Sequence, residues 1–471
     1  MLKPGVFCTG DMPVRKVAAL LAEHGDSATL VRDASGEVIG IVTAGDLCTR
    51  VLAAGQDGRT AIRTIMSAPV TAVSGGTPVY ESLLRMQETH LRHLGVADET
   101  GRLLGTLSDR DLMPFQQYGA LVLTGEISRA ALVEDVVRCC KRTPATVKAL
   151  VDSGAHPRNV TRLISSVCDA ATERFVNLAI EELGPPPARF AFLALGSQGR
   201  MEQTLVTDQD NAILYAPPEP GAQGPDPARY FIELGQRVCG WLKEAGYPFC
   251  CGRFMAQNPV WTRDLQAWKT HFSYWIARAE PKELLAFTVF FDFRPVCGDA
   301  ALVNDLRQHV FSELREASAF FPHFASDALL FKPPLMLFGH ILIGHVRDAP
   351  RGTVDLKATS LPIVAFARLY ALRHGIAQTR TLDRLDALAE LGKLAPASRD
   401  EITATFTFLM RLRLRQQVLD FHAGRTPGNL ISVRSLGYSD RVQLRQSFAH
   451  IRALQRSIDY DFLGGTHNNP S

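Results

Sequence analysis

The residues best placed to do chemistry are a serine and two carboxylates held in one short stretch, Leu193-Ala-Leu-Gly-Ser-Gln-Gly-Arg-Met-Glu-Gln-Thr-Leu-Val-Thr-Asp-Gln-Asp-Asn-Ala-Ile-Leu-Tyr215. Asp208 stands eleven residues beyond Ser197, and Asp210 follows it with one residue between. On an extended chain that spacing sends both carboxylates to one face. Two such charges repel unless a cation sits between them. A hard divalent ion does this, and Mg²⁺ takes one or two carboxylates together with substrate phosphates. The Gly196-Ser197 turn lets backbone N–H groups and a hydroxyl approach an anion closely. These parts can hold a metal-bound nucleoside triphosphate.

Strands must position them. Phe190 to Leu195 is apolar and runs into the Gly-Ser turn, and a second apolar strand follows Asp210. The stretch Ala216 to Pro227 is rich in proline and glycine and reads as a loop; Ala228 to Ala245 then reads as a helix. A third strand is expected at Tyr247 to Cys251, within a segment that has no Asp or Glu. A further carboxylate for such a site could come from elsewhere in the chain. Asp292 and Arg294, two apart in Phe290-Phe-Asp-Phe-Arg294, would share a strand face. Either Asp292 completes the site and Arg294 pairs with phosphate, or the two form a structural ion pair. Otherwise the site has two carboxylates only.

A Gly-Ser turn, a spacer and then Asp-x-Asp resembles the nucleotidyltransferase superfamily. The longer string Gly-Ser-Gln-Gly-Arg-Met-Glu-Gln, followed by Thr-Asp-Gln-Asp-Asn, is more specific. It resembles the nucleotidyltransferase domain of bacterial CBS-domain signalling proteins, a relative of the uridylyltransferase that modifies the PII nitrogen-signalling protein. The resemblance implies that Gly196 and Ser197, with Gly199 and Arg200, hold the triphosphate, and that Asp208 and Asp210 hold Mg²⁺. No His-Asp pair of the phosphohydrolase type is present in the sequence, which argues against a built-in demodifying activity.

The N-terminal part is a duplication. Val38-Ile-Gly-Ile-Val-Thr-Ala-Gly-Asp-Leu47 matches Leu103-Leu-Gly-Thr-Leu-Ser-Asp-Arg-Asp-Leu112, and Gly40 and Asp46 recur as Gly105 and Asp111 at an offset of 65 residues. Helices are expected at Val14 to His24 and Val79 to Thr89, and strands at Ala28 to Arg32, Val38 to Thr43, Leu94 to Ala97 and Leu103 to Ser108. The pair resembles a CBS module. The resemblance implies that Thr43 with Asp46, and Ser108 with Asp111, bind an adenine nucleotide. The bland alternative is that each Asp caps the helix that follows. The first repeat begins so near Met1 that its opening strand is expected to be short. The resemblance also implies a homodimer through this module's helices, for which Val14 to Leu21 and Val79 to Met86 supply apolar faces.

These readings give a multidomain α+β chain. A CBS pair spans 1–118 and a helical connector 119–187, with helices at Ala130 to Lys141 and Val160 to Leu183. A mixed-sheet nucleotidyltransferase-like domain spans 188–299, a helical C-terminal domain 300–462, and a polar tail 463–471. The best C-terminal helices are Thr381 to Leu391, Ser398 to Phe421 and Asp440 to Tyr460. Lys357 in Asp355-x-Lys357 either reaches phosphate or is a solvated lysine behind a helix-start Asp; the latter is the commoner case. His340 and His345, five apart, read as packing residues rather than metal ligands.

At 471 residues with 46% hydrophobic and 21% charged residues, the chain has ample material for packed cores. A net charge of +3 is too small to indicate nucleic acid or an anionic membrane as a partner. No apolar run reaches the about 20 residues of a membrane span, and no secretory leader is evident. Nine cysteines, none in a C-x-x-C pair, read as reduced thiols in a cytoplasm. Two functions remain: a Mg²⁺-dependent nucleotidyltransferase that modifies an acceptor, such as a signalling protein, under CBS control; or a catalytically degenerate nucleotide-binding regulator.

Overall fold

The computed structural model describes residues 5–77, 79–89, 91–98, 100–112, 120–217, 225–278, 288–330, 335–337, 340–342 and 352–464. The chain divides into two compact units, Met1–Val122 and Leu123–Ser471.

The first unit carries the duplication into three dimensions. β1 (Phe7–Thr9), α1 (Val14–His24), β2 (Ala28–Arg32) and β3 (Val38–Thr43) are followed by β4 (Ala72–Ser74), α2 (Val79–Thr89), β5 (His93–Ala97) and β6 (Leu103–Ser108). Each set makes a three-stranded sheet, with the first pair parallel and the second antiparallel. Register irregularities fall at Val31/Arg32 and Val96/Ala97, again 65 residues apart. β1 and β4 are both three residues long, so the first repeat is no less complete than the second. Val14, Val17 and Leu21 are buried with Val31, Val42 and Ile62 in the unit's own core. That apolar face of α1 is therefore spent within the chain and is not open to a dimer partner.

In the second unit, α3 (Val133–Cys140) and α4 (Thr143–Asp152) lead to α5 (Pro157–Leu183). Pro157 occupies the first turn of α5, where its missing N–H costs nothing, and Gly184 ends it. β7 (Phe190–Ala194), β8 (Asn211–Tyr215), α6 (Pro227–Glu244), β9 (Thr262–Asp264), α7 (Leu265–Arg278) and β10 (Arg294–Gly298) come next. The sheet order is β10-β7-β8-β9; β8 and β9 are parallel and the other pairs antiparallel. Every residue of β8 is buried. A strand covered on both faces reads as a continuous apolar run, as Ala-Ile-Leu-Tyr215 does.

The third strand is displaced from its expected place. Tyr247 to Cys251 offers only an isolated bridge, Gln209 with Phe249, and the strand beside β8 is β9. Pro248 and Gly252 interrupt the earlier segment's backbone pairing. β9 does carry a carboxylate, but Asp264 lies opposite Tyr215, at the end of β8 remote from Asp210, and accepts from the N–H of Ala267 in α7.

The C-terminal part comprises α8 (Ala300–Glu316), α9 (Phe320–Ala328), β11 (Thr353–Asp355), α10 (Leu356–Arg373), α11 (Thr381–Glu390), α12 (Pro396–His422), β12 (Leu430–Ser432) and α13 (Tyr438–Leu463). β11 and β12 pair antiparallel, and a second short pair joins Leu335–Leu337 to His340–Leu342. These strands are too short to show a two-residue period in sequence. His345 and Thr466 to Ser471 lie outside the described residues. One aromatic-rich core runs from Ala191 and Leu193 through Trp268, Phe290 and Phe293 to Phe366, Phe406, Phe448 and Phe462. The sheet and the C-terminal helices therefore bury a common interior. Among the described residues no helix is long and apolar enough to cross a membrane. All nine cysteines are free thiols.

Candidate active site

Asp208 and Asp210 precede β8 instead of lying on it. The backbone around them is nevertheless extended and fixed. The N–H of Gln209 donates to Pro248 O, that of Asn211 to Phe254 O, and that of Leu195 to Asp210 O. The side chain of Gln209 turns inward and donates to the carbonyls of Cys239 and Tyr247, while Asn211 Oδ1 accepts from the N–H of Ala256. With 209 and 211 inside, alternation sends 208 and 210 the other way. Their carboxylate oxygens and Cys250 Sγ all lie within 4.8 Å of one another.

Charge crowding shows in the acidity of Asp210. Burial and then the neighbouring Asp208 push its carboxyl up to about 6, against a hydrogen bond from Cys250 and the positive charges of Lys357 and Arg200. Burial, then Asp210, pushes the Cys250 thiol up to about 12. Cys250 was missed in the sequence because a carboxylate was sought in its segment. It stands where a third acidic ligand would complete the group.

Gly196 closes the other side. Its φ of +52° favours glycine, and a Cβ there would lie 2.8 Å from Asp210 Oδ2. Ser197 is half-buried and lines a narrow cleft of about 40 Å³ with Thr207 and Asp208. Across the cleft stand Lys357 and Ser360 of α10 and Arg413 of α12. Asp355 caps α10, accepting from the N–H of Ala358, and Lys357 is exposed, as the helix-start reading expects; its side chain also borders the cleft. Arg413 gave no signal in sequence.

Four of the expected site residues serve other purposes. Asp292 is 0% exposed and does not join Asp208 and Asp210. Its Oδ2 accepts from Arg200 at 2.6 Å and from Arg368 at 2.5 Å; its Oδ1 accepts from Arg384 at 2.7 Å and Arg368 at 3.1 Å. Burial opposes ionisation, but Arg368, Arg384 and Arg200 outweigh it and hold the carboxyl well below its ordinary range. Arg294 is not its partner: it donates to Asp169 at 2.6 Å and to Gln198 O at 3.1 Å, bracing the turn from α5. Gly199 is required by packing, since a Cβ would lie 1.9 Å from Asp292 O. Arg200 lines the cleft but is already engaged by Asp292 and Glu202.

In the first unit, both Ser/Thr-x-x-Asp elements are helix caps. Thr43 N–H and Oγ1 donate to Asp46 Oδ2 at 2.9 and 2.8 Å, and Ser108 N–H and Oγ to Asp111 Oδ2 at 2.9 and 2.6 Å. Thr43 and Asp46 also line a cavity of about 590 Å³ with Ser27, Arg92, His93 and Arg110; Ser108 and Asp111 do not line this one. Ser27 Oγ and His93 Nε2, from the two repeats, are 2.7 Å apart in its wall.

Family models match the chain in three places. Residues 141–282 match the family described as "Putative nucleotidyltransferase DUF294", residues 318–462 its "substrate binding domain", and residues 1–53 and 62–117 the CBS domain. The chain is a CBS-domain protein of the DUF294 nucleotidyltransferase family. Among curated relatives, an uncharacterized protein of Methanopyrus kandleri is 29% identical over 115 residues, 24% of this chain and 59% of that protein. A bifunctional glutamine synthetase adenylyltransferase/adenylyl-removing enzyme of Xanthobacter autotrophicus is 23% identical over 419 residues, 82% of this chain and 40% of that one. The chain thus spans about two fifths to three fifths of these relatives. A CBS domain protein from Pyrobaculum aerophilum, solved in complex with AMP, is 26% identical, with 24% of this chain and 85% of that one covered at a TM-score of 0.22. The nucleotidyltransferase domain of this family therefore contains Gly196, Ser197, Asp208, Asp210 and Cys250, and Lys357 and Arg413 come from the substrate-binding part.

Proposed function

We propose that the chain transfers a nucleoside monophosphate from a nucleoside triphosphate to an acceptor. The observation that carries the reading is the pair Asp208 and Asp210, whose carboxylate oxygens lie within 4.8 Å of each other beside the Gly196-Ser197 turn, with Ser197 and Asp208 lining the cleft. The crowding suits a divalent cation, and two carboxylates suit Mg²⁺. Bound there, Mg²⁺ would supply charge neutralisation for the phosphates and for the leaving pyrophosphate. The protein's own part is positioning. Gly196 allows the backbone to approach the ligand, Ser197 offers a hydroxyl, and the buried core behind β7 and β8 keeps the turn rigid. An acceptor oxygen attacks the α-phosphorus in line, the bond from the α-phosphorus to the β-bridging oxygen breaks, and pyrophosphate departs. A signalling protein is one candidate acceptor.

Adenine nucleotide in the cavity lined by Thr43 and Asp46 would regulate this activity. A regulator must bind two states unequally, since equal affinity shifts nothing. A homodimer through residues 1–118 belongs to the same reading, on surfaces other than the Val14–Leu21 face. Light scattering of a chain starting near residue 120 tests it: an unchanged oligomeric state would remove the dimer.

A second reading, a degenerate regulator that binds nucleotide without turnover, is favoured by Cys250 standing where a third carboxylate would be. The deciding experiment incubates the purified protein with Mg²⁺, each labelled nucleoside triphosphate and cell lysate. Pyrophosphate release with a labelled acceptor supports transfer. Binding without release supports the regulator.

A further inference from the structure

Arg413 is a charged side chain that is only 7% exposed, and among the described residues no carboxylate forms an ion pair with it. Its one hydrogen bond runs from Nε to Asn429 Oδ1 at 2.7 Å. That bond is part of a built support. Gln417, fully buried on the same helix, donates to Asn429 Oδ1 and to Thr204 Oγ1, both at 3.1 Å. Its Oε1 accepts from the N–H of Leu205 at 3.0 Å. The network ties α12 to the loop before Asp208 and leaves the two terminal nitrogens of Arg413 without a partner, in the wall of the cleft. Burying a guanidinium without a counter-ion is costly. The cost shows: burial, with Arg200 adding to it, pulls Arg413 down to about 10, and Asp355 and Glu202, the latter in the same cleft wall, only partly offset it. The side chain of Lys357, exposed in the same wall, likewise makes no hydrogen bond or ion pair among the described residues.

We infer that Arg413 and Lys357 are the anion-binding half of the cleft and grip the β- and γ-phosphates of a nucleoside triphosphate held at Asp208 and Asp210. This rests on the transferase reading and deepens it: the ligand must carry a polyphosphate tail. A fixed guanidinium fork suits two phosphate oxygens, and a flexible ammonium suits a third. The cations the sequence suggested for this task, Arg200 and Arg294, are neutralised by Asp292, Glu202 and Asp169. The cations that remain come from the C-terminal helices.

The test uses the full chain, inorganic triphosphate as probe, and calorimetry in Mg²⁺. Arg413→Met and Lys357→Met should each weaken triphosphate roughly tenfold or more, as expected for loss of one charge-assisted contact. Ligand-free Arg413→Met should melt at or above the wild-type temperature, because an uncompensated buried charge is gone. Wild-type triphosphate affinity in both variants overturns the inference. So does a marked fall in the melting temperature of Arg413→Met with no effect of Lys357→Met, which would make Arg413 a structural residue. If Asp210→Ala loses triphosphate while both cation variants keep it, the transferase reading stands and this clamp falls. If the wild-type protein binds neither triphosphate nor any nucleoside triphosphate, both fall.

Discussion

Gly196 and Asp210 are packed so closely that a single methyl group on the glycine would sit 2.8 Å from the carboxylate oxygen Oδ2. The turn and the acid therefore set each other's position. Gly196→Ala meets both this contact and the strain of φ +52°. It should cost about 1–2 kcal/mol of stability and displace Asp210. Urea unfolding and a Mg²⁺ titration check the two effects; a variant with wild-type stability and wild-type ion affinity would sink the account.

Asp210 gives a pH signature. Its folded pKa of about 6 lies above the unfolded value near 3.8. The folded state therefore holds the extra proton between those values, and metal-free stability falls as pH rises from about 4 to about 6. Asp210→Asn should remove that loss and gain up to roughly 2–3 kcal/mol at pH 7 without divalent ions. Ion affinity in the wild type should rise over the same range as Asp210 ionises. Melting curves at pH 4.5 and 7, with and without Mg²⁺, separate the two trends.

Asp292 behaves oppositely. Its carboxyl is held below the ordinary range, so its stabilising contribution is complete above about pH 4 and is lost only as pH falls towards its depressed folded value. Asp292→Asn leaves Arg200, Arg368 and Arg384 buried without their shared anion. A loss on the order of 3–5 kcal/mol is expected at neutral pH. A denaturant midpoint unchanged from wild type would show that the arginines find other partners.

Much of this architecture could be read from residue order, and the reasons are local. Val14–His24, Ala28–Arg32, Val38–Thr43 and Leu103–Ser108 coincide with their expected bounds because each has a clean period and a turn at its end. The strand Phe190–Ala194 stands out because a buried strand needs an unbroken apolar run. What failed depended on distant partners. Asp292 was matched to Arg294, two residues away, when its true partners are Arg200, Arg368 and Arg384. Arg413 sits among Arg411 and Arg415 on one helix, and only tertiary packing decides that Arg413 is buried while the other two are exposed. The polar three-residue β9 offers too little pattern to outbid Tyr247–Cys251.

The two repeats of the first unit should respond unequally to mutation. Asp46 and Asp111 make equivalent caps, but only Asp46 lines the large cavity described above. Either substitution to alanine should cost about 1 kcal/mol through the lost cap. Asp46→Ala alone should also weaken AMP binding to the full chain. Equal affinities of the two variants in calorimetry would argue against this cavity as the nucleotide site.

Cys250→Asp tests what the thiol withholds. A third carboxylate beside Asp208 and Asp210 should tighten divalent-ion binding and lower metal-free stability through added repulsion. A gain in pyrophosphate release would show that Cys250 restrains turnover; tighter ion binding without release would favour the regulator.

The shared interior of the sheet and the C-terminal helices also bears on how the protein is made. A chain still on the ribosome with only its first 300 residues emerged has both carboxylates and the serine. It lacks Lys357, Arg413 and much of the apolar packing that walls the cleft. Domains generally fold as units during synthesis, and this unit cannot close until α12 and the loop bearing Asn429 have left the exit tunnel. The wall of the cleft is thus completed last, by the order of the protein's own sequence.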